Sequence, residues 1–315
     1  QLRGEILSFI PVDKNVEIML VTITNTGRMA QTVTPTAAIP LYGRSADNIR
    51  DHRHVTSLLH RIETTDTGVL VTPTLSFDER GHQVNHMTYY CVGWSGNGEK
   101  PVDFYPTAED FVGEGGNFER PYAIVKNAEG VKAGTKIEGL EAVGGLHFSE
   151  ITLEPEEECS YLIFTGITED IQEIRNLSKT YTTREKVLEE LEKTKAYWQE
   201  KVNVAYHTGD SDFNQFMHWV SFQPILRRIY GCSFLPHHDY GKGGRGWRDL
   251  WQDCLALLIM NPDGVRQMLL DNFAGVRIDG SNATIIGSKQ GEFVADRNNI
   301  TRVWMDHGVW PMITT

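Results

Sequence analysis

The 315-residue sequence has few cysteines, no long apolar run and a shortage of basic residues. Its cysteines, Cys91, Cys159, Cys232 and Cys254, are widely spaced without a CxxC pair, which argues against a disulfide framework and a zinc site. No run of about 18 apolar residues is present, so we expect no membrane-spanning helix. Acidic residues outnumber basic ones by 42 to 30, and the net charge of −12 argues against nucleic acids or anionic membranes as partners.

The remaining composition, 40% hydrophobic and 23% charged, is typical of a globular protein. The length exceeds the usual size of one domain, so we expect two. Cysteines without a disulfide pattern and the lack of a signal-peptide pattern at the first residue favour a cytoplasmic location. The sequence stops within an apolar run, residues 309–315, and we therefore expect a fragment of a larger protein.

The first half of the sequence carries strand patterns. Runs rich in β-branched and aromatic residues occur at positions 16–24, 68–72, 87–92 and 160–165. Polar turn signals such as Ser95-Gly96-Asn97-Gly98 separate them, and Gly113-Glu114-Gly115-Gly116 marks a loop. Many short strands between polar turns predict a β-sandwich, which we assign to residues 1–175.

The periodicity changes near residue 180. Val187, Leu191, Trp198 and Val202 follow helical spacing, in a segment that mixes Glu and Lys. This predicts an exposed linker helix, within a linker that we place at residues 176–208. A coiled coil is the alternative, although the apolar stripe is short for one.

From residue 209 to 315 the pattern is helical. Asp210 or Ser211 is suited to cap a first helix. Residues 250–260 form a strongly apolar helix that ends at Asn261-Pro262-Asp263-Gly264, and another apolar stripe begins at Val265. Paired helices joined by long polar loops suit a helical toroid whose loops hold a site.

One carboxylate near the end of the sequence has the surroundings of a general acid. Asp306 lies between Trp304 and Trp310, with His307 beside it. Aromatic walls would raise the pKa of Asp306 and keep it protonated, as glycoside cleavage requires. Alternatively, Asp306 caps a helix that begins near Gly308, and both roles are compatible. His307 is either a second proton carrier or an ordinary loop histidine.

A second group of polar residues precedes the apolar helix. Adjacent Arg248 and Asp249 can present donors and an acceptor to one sugar ring, and groups matched to hydroxyls discriminate strongly. The alternative is an ion pair between these two residues. Gln252 and Asp253 lie one turn later and carry the same ambiguity.

Other segments give weaker signals. Trp247 and Trp251 are either sugar platforms or core residues, and an isolated tryptophan is more often core. Gly243-Gly244-Arg245-Gly246 would cradle a phosphate through backbone N–H groups but matches neither a P-loop nor a dinucleotide fingerprint. His237-His238-Asp239 lacks further ligands at metal spacing, so we expect a polar loop and no metal. The loop 279–284 is dense in hydrogen-bonding side chains and lines a pocket or forms surface.

Taken together, these residues resemble glycoside hydrolase family 94, the inverting β-glucoside phosphorylases of the cellobiose, laminaribiose and β-1,2-oligoglucan phosphorylase type. The resemblance rests on the polar run 48–54, the linker helix, the Arg-Asp-x-x-Gln-Asp run 248–253 and the Trp-x-Asp pattern 304–306. It implies a multi-domain fold with an N-terminal β-sandwich, a helical linker and an (α/α)6 barrel. Only the first half of that barrel is expected in residues 209–315.

The resemblance also implies roles for individual residues. Asp306 would be the general acid on the glycosidic oxygen, and Arg248, Asp249 and Trp304 would lie near the subsite for the transferred glucosyl unit. We take as substrate-binding candidates Arg245, Arg248, Asp249, Gln252, Asp253 and Trp304. Met305 stands where many members carry another acidic or polar residue, which leaves the subfamily open.

The implied reaction uses no cofactor. Inorganic phosphate is the co-substrate and attacks from the opposite face, so a single carboxylate suffices. Its ligands are implied to lie in the later half of the barrel. We expect a homodimeric phosphorylase that cleaves a β-1,2-, β-1,3- or β-1,4-linked gluco-disaccharide or oligosaccharide to α-glucose 1-phosphate. The alternatives are an inverting hydrolase on the same scaffold and a non-catalytic carbohydrate-binding protein.

Overall fold

The computed structural model describes residues 1–43, 56–78, 81–230, 245–286, 293–294 and 306–315. The chain divides into two units, Gln1–Lys195 and Ala196–Thr315. The first unit is rich in strands and the second is helical, as the sequence predicts. The dividing point falls inside the helix that we assigned to the linker.

The first unit consists mainly of short antiparallel strands. Its strands are β1 (Leu2–Phe9), β2 (Val16–Asn25), β3 (Gln31–Val33), β4 (Thr36–Leu41), β5 (His60–Thr64), β6 (Gly68–Pro73), β7 (Leu75–Asp78), β8 (Gly81–Val84), β9 (Thr88–Ser95), β10 (Asp103–Thr107), β11 (Lys136–Glu138), β12 (Ala142–His147), β13 (Ile151–Leu153) and β14 (Glu158–Thr168). Its helices are α1 (Ala108–Val112), α2 (Tyr122–Lys126), α3 (Ile171–Thr180) and α4 (Arg184–Lys201), the last of which continues into the second unit.

Two sheets make the predicted sandwich. The large sheet has seven described strands in the order β1-β2-β14-β9-β6-β5-β11, and a three-stranded sheet has the order β10-β12-β4. Two further pairs, β13–β3 and β7–β8, complete the described strands of this unit. The β-sandwich predicted for the first half of the sequence is therefore confirmed.

The large sheet is covered on both faces, and β14 shows how the sequence achieves this. Leu162 and Phe164 belong to the cluster that includes residues of α3 and α4, whereas Tyr161 and Ile163 belong to the cluster shared with the three-stranded sheet. Side chains alternate between faces along a strand, so a strand buried on both sides reads as a continuous apolar run. Full burial of each such side chain stabilises the fold by about 1.5–3 kcal/mol.

The helix α4 lies within the predicted linker 176–208, but it is not exposed along its apolar stripe. Val187 and Leu191 are buried in the first unit. Trp198 and Val202 pack in the second unit against a cluster that contains Leu257. The expectation of an exposed linker helix is therefore wrong for this stripe.

The second unit contains the described helices α5 (Ser211–Tyr230), α6 (Trp247–Met260), α7 (Val265–Phe273) and α8 (Val309–Thr314), together with a small sheet of β15 (Arg245–Gly246), β16 (Ile285–Ile286) and β17 (Phe293–Val294). Asp210 caps α5, since its Oδ1 accepts from the N–H groups of Asp212 at 2.9 Å and Phe213 at 3.1 Å. Gly264, at φ 73°, makes the left-handed turn into α7. No helix in the described part of the chain is long and apolar enough to cross a membrane. A closed (α/α)6 barrel stays a prediction.

Candidate active site

The first turn of α6 presents Arg248 and Asp249. The strand β15 pairs with β16, and the N–H of Trp247 donates to the carbonyl of Thr284 at 2.9 Å, which fixes the point where the helix begins. Asp249 falls in the first helical turn, where a carboxylate is favoured by the helix dipole. The backbone of Arg245 lies in β15, and its side chain is outside the described part of the structure.

Asp306 lies directly ahead of α8. Its carbonyl oxygen accepts from the N–H groups of Val309 at 3.1 Å and Trp310 at 3.2 Å. Gly308 is the N-cap residue of α8, and no side chain caps the helix there. The alternative in which the Asp306 carboxylate caps this helix is therefore wrong, and the carboxylate is engaged elsewhere.

That carboxylate contacts the arginine of the other motif. Arg248 Nη1 donates to Asp306 Oδ2 at 2.8 Å, across 58 residues of sequence. The two side chains are 43% and 41% exposed. Arg248 is thus paired with Asp306, and the predicted ion pair between Arg248 and Asp249 is absent from the described ion pairs. The structure brings the two sequence motifs together at one accessible place.

The electrostatics of Asp306 differ from the sequence-based expectation. The hydrogen bond from Arg248 holds the pKa of Asp306 below its usual value, and the guanidinium charge adds to the effect. Trp310 packs against the core cluster of α6, and Trp304 lies outside the described residues. The prediction that aromatic walls raise the pKa of Asp306 is therefore wrong for this structure, and the group is a carboxylate at neutral pH.

His307 anchors the segment that carries Asp306. Its side chain is buried, and Nδ1 accepts from Asn282 Nδ2 at 3.2 Å. Burial lowers the pKa of His307, so the ring is neutral with its proton on Nε2. Its carbonyl oxygen accepts from Trp247 Nε1 at 3.1 Å. The loop 279–284 thus supplies a buried partner through Asn282, and a proton-carrying role for His307 stays a prediction.

Trp247 and Trp251 form the core beneath the site. They are 1% and 0% exposed, and their rings meet edge to face at 5.7 Å. The carbonyl of Trp251 accepts from Thr314 Oγ1 at 3.1 Å, which links α8 to α6. The core alternative for these tryptophans is confirmed, and their buried rings are not available as sugar platforms.

Gln252 and Asp253 occupy the next turn of α6, at helical spacing from Arg248 and Asp249. Gln252 is half-buried on the face of Arg248. Asp253 is 5% exposed, and its carboxylate accepts from Arg227 Nε at 2.6 Å and also from Arg227 Nη2. Both of its oxygens are therefore engaged by Arg227. Direct sugar contact by Asp253 stays a prediction.

Sequence reasoning did not identify Arg227. The signal that points to such a partner is a carboxylate inside a strongly apolar helix, since a buried charge requires a counter-charge. The hydrogen bonds to Asp253 raise the pKa of Arg227. Cys254, on α6, is fully buried and packs as a small hydrophobe.

Several candidate segments fall outside the described residues: Trp304, the run 48–54, His237-His238-Asp239 and Gly243-Gly244. In the part of the chain that is described, no group of three or more His, Cys, Asp or Glu side chains is placed to hold a metal ion. The site as described therefore consists of Arg248, Asp306 and the polar residues of the first turns of α6.

Comparison with known proteins identifies the family. Cyclic beta-(1,2)-glucan synthase NdvB of Rhizobium meliloti (strain 1021) is 25% identical over 225 residues, which cover 70% of this chain and 8% of that relative. The chain thus spans a small fraction of the relative's length. The family model for the glycosyl hydrolase 94 supersandwich domain matches residues 1–184, which include both sheets of the sandwich. Since this match covers more than half of the chain and agrees with the resemblance inferred from residues 248–253 and 304–306, the chain belongs to the glycosyl hydrolase 94 family.

Proposed function

We propose that this chain carries the acid-bearing part of an inverting β-glucoside phosphorylase. Such an enzyme cleaves a β-glucosidic bond with inorganic phosphate and gives α-glucose 1-phosphate. The observation that carries the proposal is the 2.8 Å contact between Arg248 and Asp306. It brings together an arginine suited to bind sugar hydroxyl groups and a carboxyl group suited to act as the acid. Membership of a carbohydrate-active family supports a gluco-oligosaccharide as the substrate.

In the proposed reaction, Asp306 donates its proton to the glycosidic oxygen as the bond from that oxygen to the anomeric carbon breaks. A phosphate oxygen forms the new bond to the anomeric carbon from the opposite face, so the configuration inverts. Phosphate is already a nucleophile, and the reaction therefore requires no carboxylate base to activate water. The phosphate ligands are expected in a later part of the barrel.

The ion pair of Asp306 with Arg248 gives the acid a substrate-dependent protonation state. While Arg248 is bound to the carboxylate, the pKa of Asp306 is lowered and the group carries no proton to donate. A glucosyl unit that draws the guanidinium to its hydroxyls would remove this effect, and exclusion of water by the sugar would raise the pKa further. Asp306 would then take up a proton when substrate is bound.

The relative favours one of the candidate linkages. NdvB is a cyclic β-(1,2)-glucan synthase. Among the β-1,2, β-1,3 and β-1,4 linkages open from the sequence, we propose β-1,2-linked gluco-oligosaccharides as the first substrates to test. A cytoplasmic location and a homodimer are also part of this proposal.

The decisive experiment measures the reverse reaction in the full-length protein. α-Glucose 1-phosphate is offered with a panel of glucose and gluco-disaccharide acceptors, and phosphate release is recorded. General-acid help contributes about 10²–10⁴-fold, so Asp306→Asn should lower turnover by at least about a hundredfold. Asp212→Asn, an exposed aspartate on α5, is the matched control and should leave turnover unchanged. Near-normal turnover in Asp306→Asn would reject the assignment.

A second assay separates phosphorolysis from its alternatives. The oligosaccharide is incubated with and without inorganic phosphate, and the products are identified. A sugar phosphate formed only when phosphate is present supports the proposal, whereas free glucose formed without phosphate identifies a hydrolase. Sugar binding without turnover under either condition identifies a carbohydrate-binding protein.

A further inference from the structure

Two neighbouring cavities lie on the sandwich unit. Their volumes are about 810 Å³ and about 360 Å³. Glu109, Gly113 and Glu114 line both, so the cavities adjoin, and we call the pair the sandwich groove. The larger volume lies within the range of about 300–1,000 Å³ that is typical of ligand clefts. Every described lining residue belongs to the first unit, and neither Arg248 nor Asp306 is among them.

The larger cavity is lined by two exposed aromatic rings. Tyr42 is 47% exposed and Phe118 is 49% exposed. Phe118 is held from below by the buried ring of Phe111, at a centroid distance of 5.9 Å. Asn117 Oδ1 accepts from two backbone N–H groups of the same loop, each at 3.0 Å. Aromatic rings fixed at a cleft present flat apolar faces, which suit the C–H faces of a sugar ring.

The described lining of the sandwich groove is acidic and selects against anions. Carboxylates of Glu109, Glu114 and Glu141 line the larger cavity, and the smaller cavity adds Asp110 and Glu129. Among the described residues that line either cavity, none is Lys or Arg. Carboxylates accept hydrogen bonds from hydroxyl groups and repel phosphate. The ligand that fits is therefore neutral and rich in hydroxyl groups.

A buried acceptor in the larger cavity points to the same chemistry. His60 is 3% exposed, and its Nδ1 donates to the carbonyl of Leu140 at 3.1 Å. Burial lowers the pKa of His60, so the ring is neutral and Nε2 is an acceptor. This nitrogen has no hydrogen-bond partner among the described residues. Gly43, which also lines the cavity, lies close to this nitrogen, and a ligand hydroxyl group that reached the nitrogen would satisfy it.

We propose that the sandwich groove is a second carbohydrate site, formed by described residues of the first unit, that binds a neutral gluco-oligosaccharide. The neutral, hydroxyl-rich character of the ligand rests on the groove itself. The choice of glucose as its sugar rests on the proposed function. A site of this kind would hold a longer glucan on the enzyme between cleavage events, and a disaccharide substrate would not depend on it.

The test measures binding of a β-1,2-linked glucopentaose to the full-length protein by titration calorimetry. The measurement is made in an Arg248→Ala background, which weakens binding at the reaction site. Tyr42→Ala with Phe118→Ala should reduce the affinity of the remaining site by at least about tenfold. The matched control is Phe216→Ala, a 60%-exposed ring of the second unit, which should leave the affinity unchanged. α-Glucose 1-phosphate should not compete with the pentaose at this site.

Both rings are exposed, so the double variant should fold, and an unchanged circular dichroism melting curve checks this. Equal pentaose affinity with and without the two rings overturns the proposal, as does the absence of any pentaose binding in the Arg248→Ala background. A changed sedimentation coefficient with unchanged sugar affinity also overturns it and identifies the face as a contact between copies. The double variant should cleave a disaccharide at the normal rate, and Asp306→Asn should bind the pentaose at the sandwich groove with unchanged affinity. Failure of one proposal is therefore distinguishable from failure of the other.

Discussion

The second unit contains two arginine–aspartate pairs with the same chemistry and different exposure. The side chains of Arg227 and Asp253 are 24% and 6% exposed, whereas those of Arg248 and Asp306 are 43% and 41% exposed. Removal of one partner from a buried pair leaves an uncompensated charge and costs about 3–5 kcal/mol. An exposed pair is worth about 0–1 kcal/mol, because water screens it. We therefore expect the same Asp→Asn substitution to cost much more stability in the buried pair than in the exposed pair.

We predict that Asp253→Asn lowers the free energy of unfolding by about 3 kcal/mol, at the low end of the range for a broken buried pair. The low end applies because Arg227 keeps some contact with solvent and asparagine retains one acceptor oxygen. Burial also raises the pKa of Asp253, against the effect of Arg227, so part of the charge–charge attraction is already offset by desolvation. Asp306→Asn should lower the free energy of unfolding by less than about 1 kcal/mol.

The assay is urea unfolding followed by tryptophan fluorescence, which reports the second unit through the buried rings of Trp247 and Trp251. Both variants keep the volume of the side chain, so each serves as the control for the other. Equal losses of stability in the two variants would refute the reasoning from exposure. If Asp306→Asn is stable and inactive while Asp253→Asn is unstable, the loss of turnover in the former is chemical and not a folding defect.

Two further predictions concern the same unit. The pKa of Asp306, measured by ¹³C NMR, should lie below the ordinary aspartate value of 3.8, and Arg248→Gln should raise it. Because folding lowers this pKa, the ion pair stabilises the folded state above about pH 4. That contribution is lost as the pH falls through the folded pKa. An unchanged pKa in Arg248→Gln would contradict the assigned cause. Gly275→Ala should lower the free energy of unfolding by about 1–3 kcal/mol, since the added Cβ would lie 2.7 Å from the Trp247 ring. The control is Gly209→Ala, whose Cβ meets nothing within 4 Å and should cost little. Equal melting temperatures for the two variants would contradict the packing around Trp247.

The strands were predictable because their burial leaves a direct record in the sequence. Residues 161–164 are apolar without interruption, and they form the part of β14 that is covered on both faces. The helix α4 was predictable from its spacing, but its exposure was not, because the cluster that buries Val187 draws many of its members from distant strands, from Val16 to Phe164. Periodicity reports which residues share a face and does not report what covers that face.

The candidate site was predictable in its members more than in its electrostatics. The meeting of Arg248 with Asp306 agrees with the family resemblance, since both residues belong to the motifs that carry it. The sign of the pKa shift was wrong because two flanking tryptophans suggested an apolar wall, while the decisive neighbour is a cation 58 residues away. Arg227 was missed for the same reason, since its partner is on a different helix. A local pattern can show that a buried carboxylate needs a cation, but it does not show which distant residue supplies that cation.

The bond from the Trp247 indole to the His307 carbonyl has a practical consequence for protein engineering. Grafting the segment Asp306-His307 onto a foreign scaffold would transfer the aspartate without the groups that position it. The His307 carbonyl is held by the Trp247 indole on α6, and the His307 imidazole is held by the amide of Asn282. A successful transplant would have to carry these three side chains as a set, together with the helix that bears the indole.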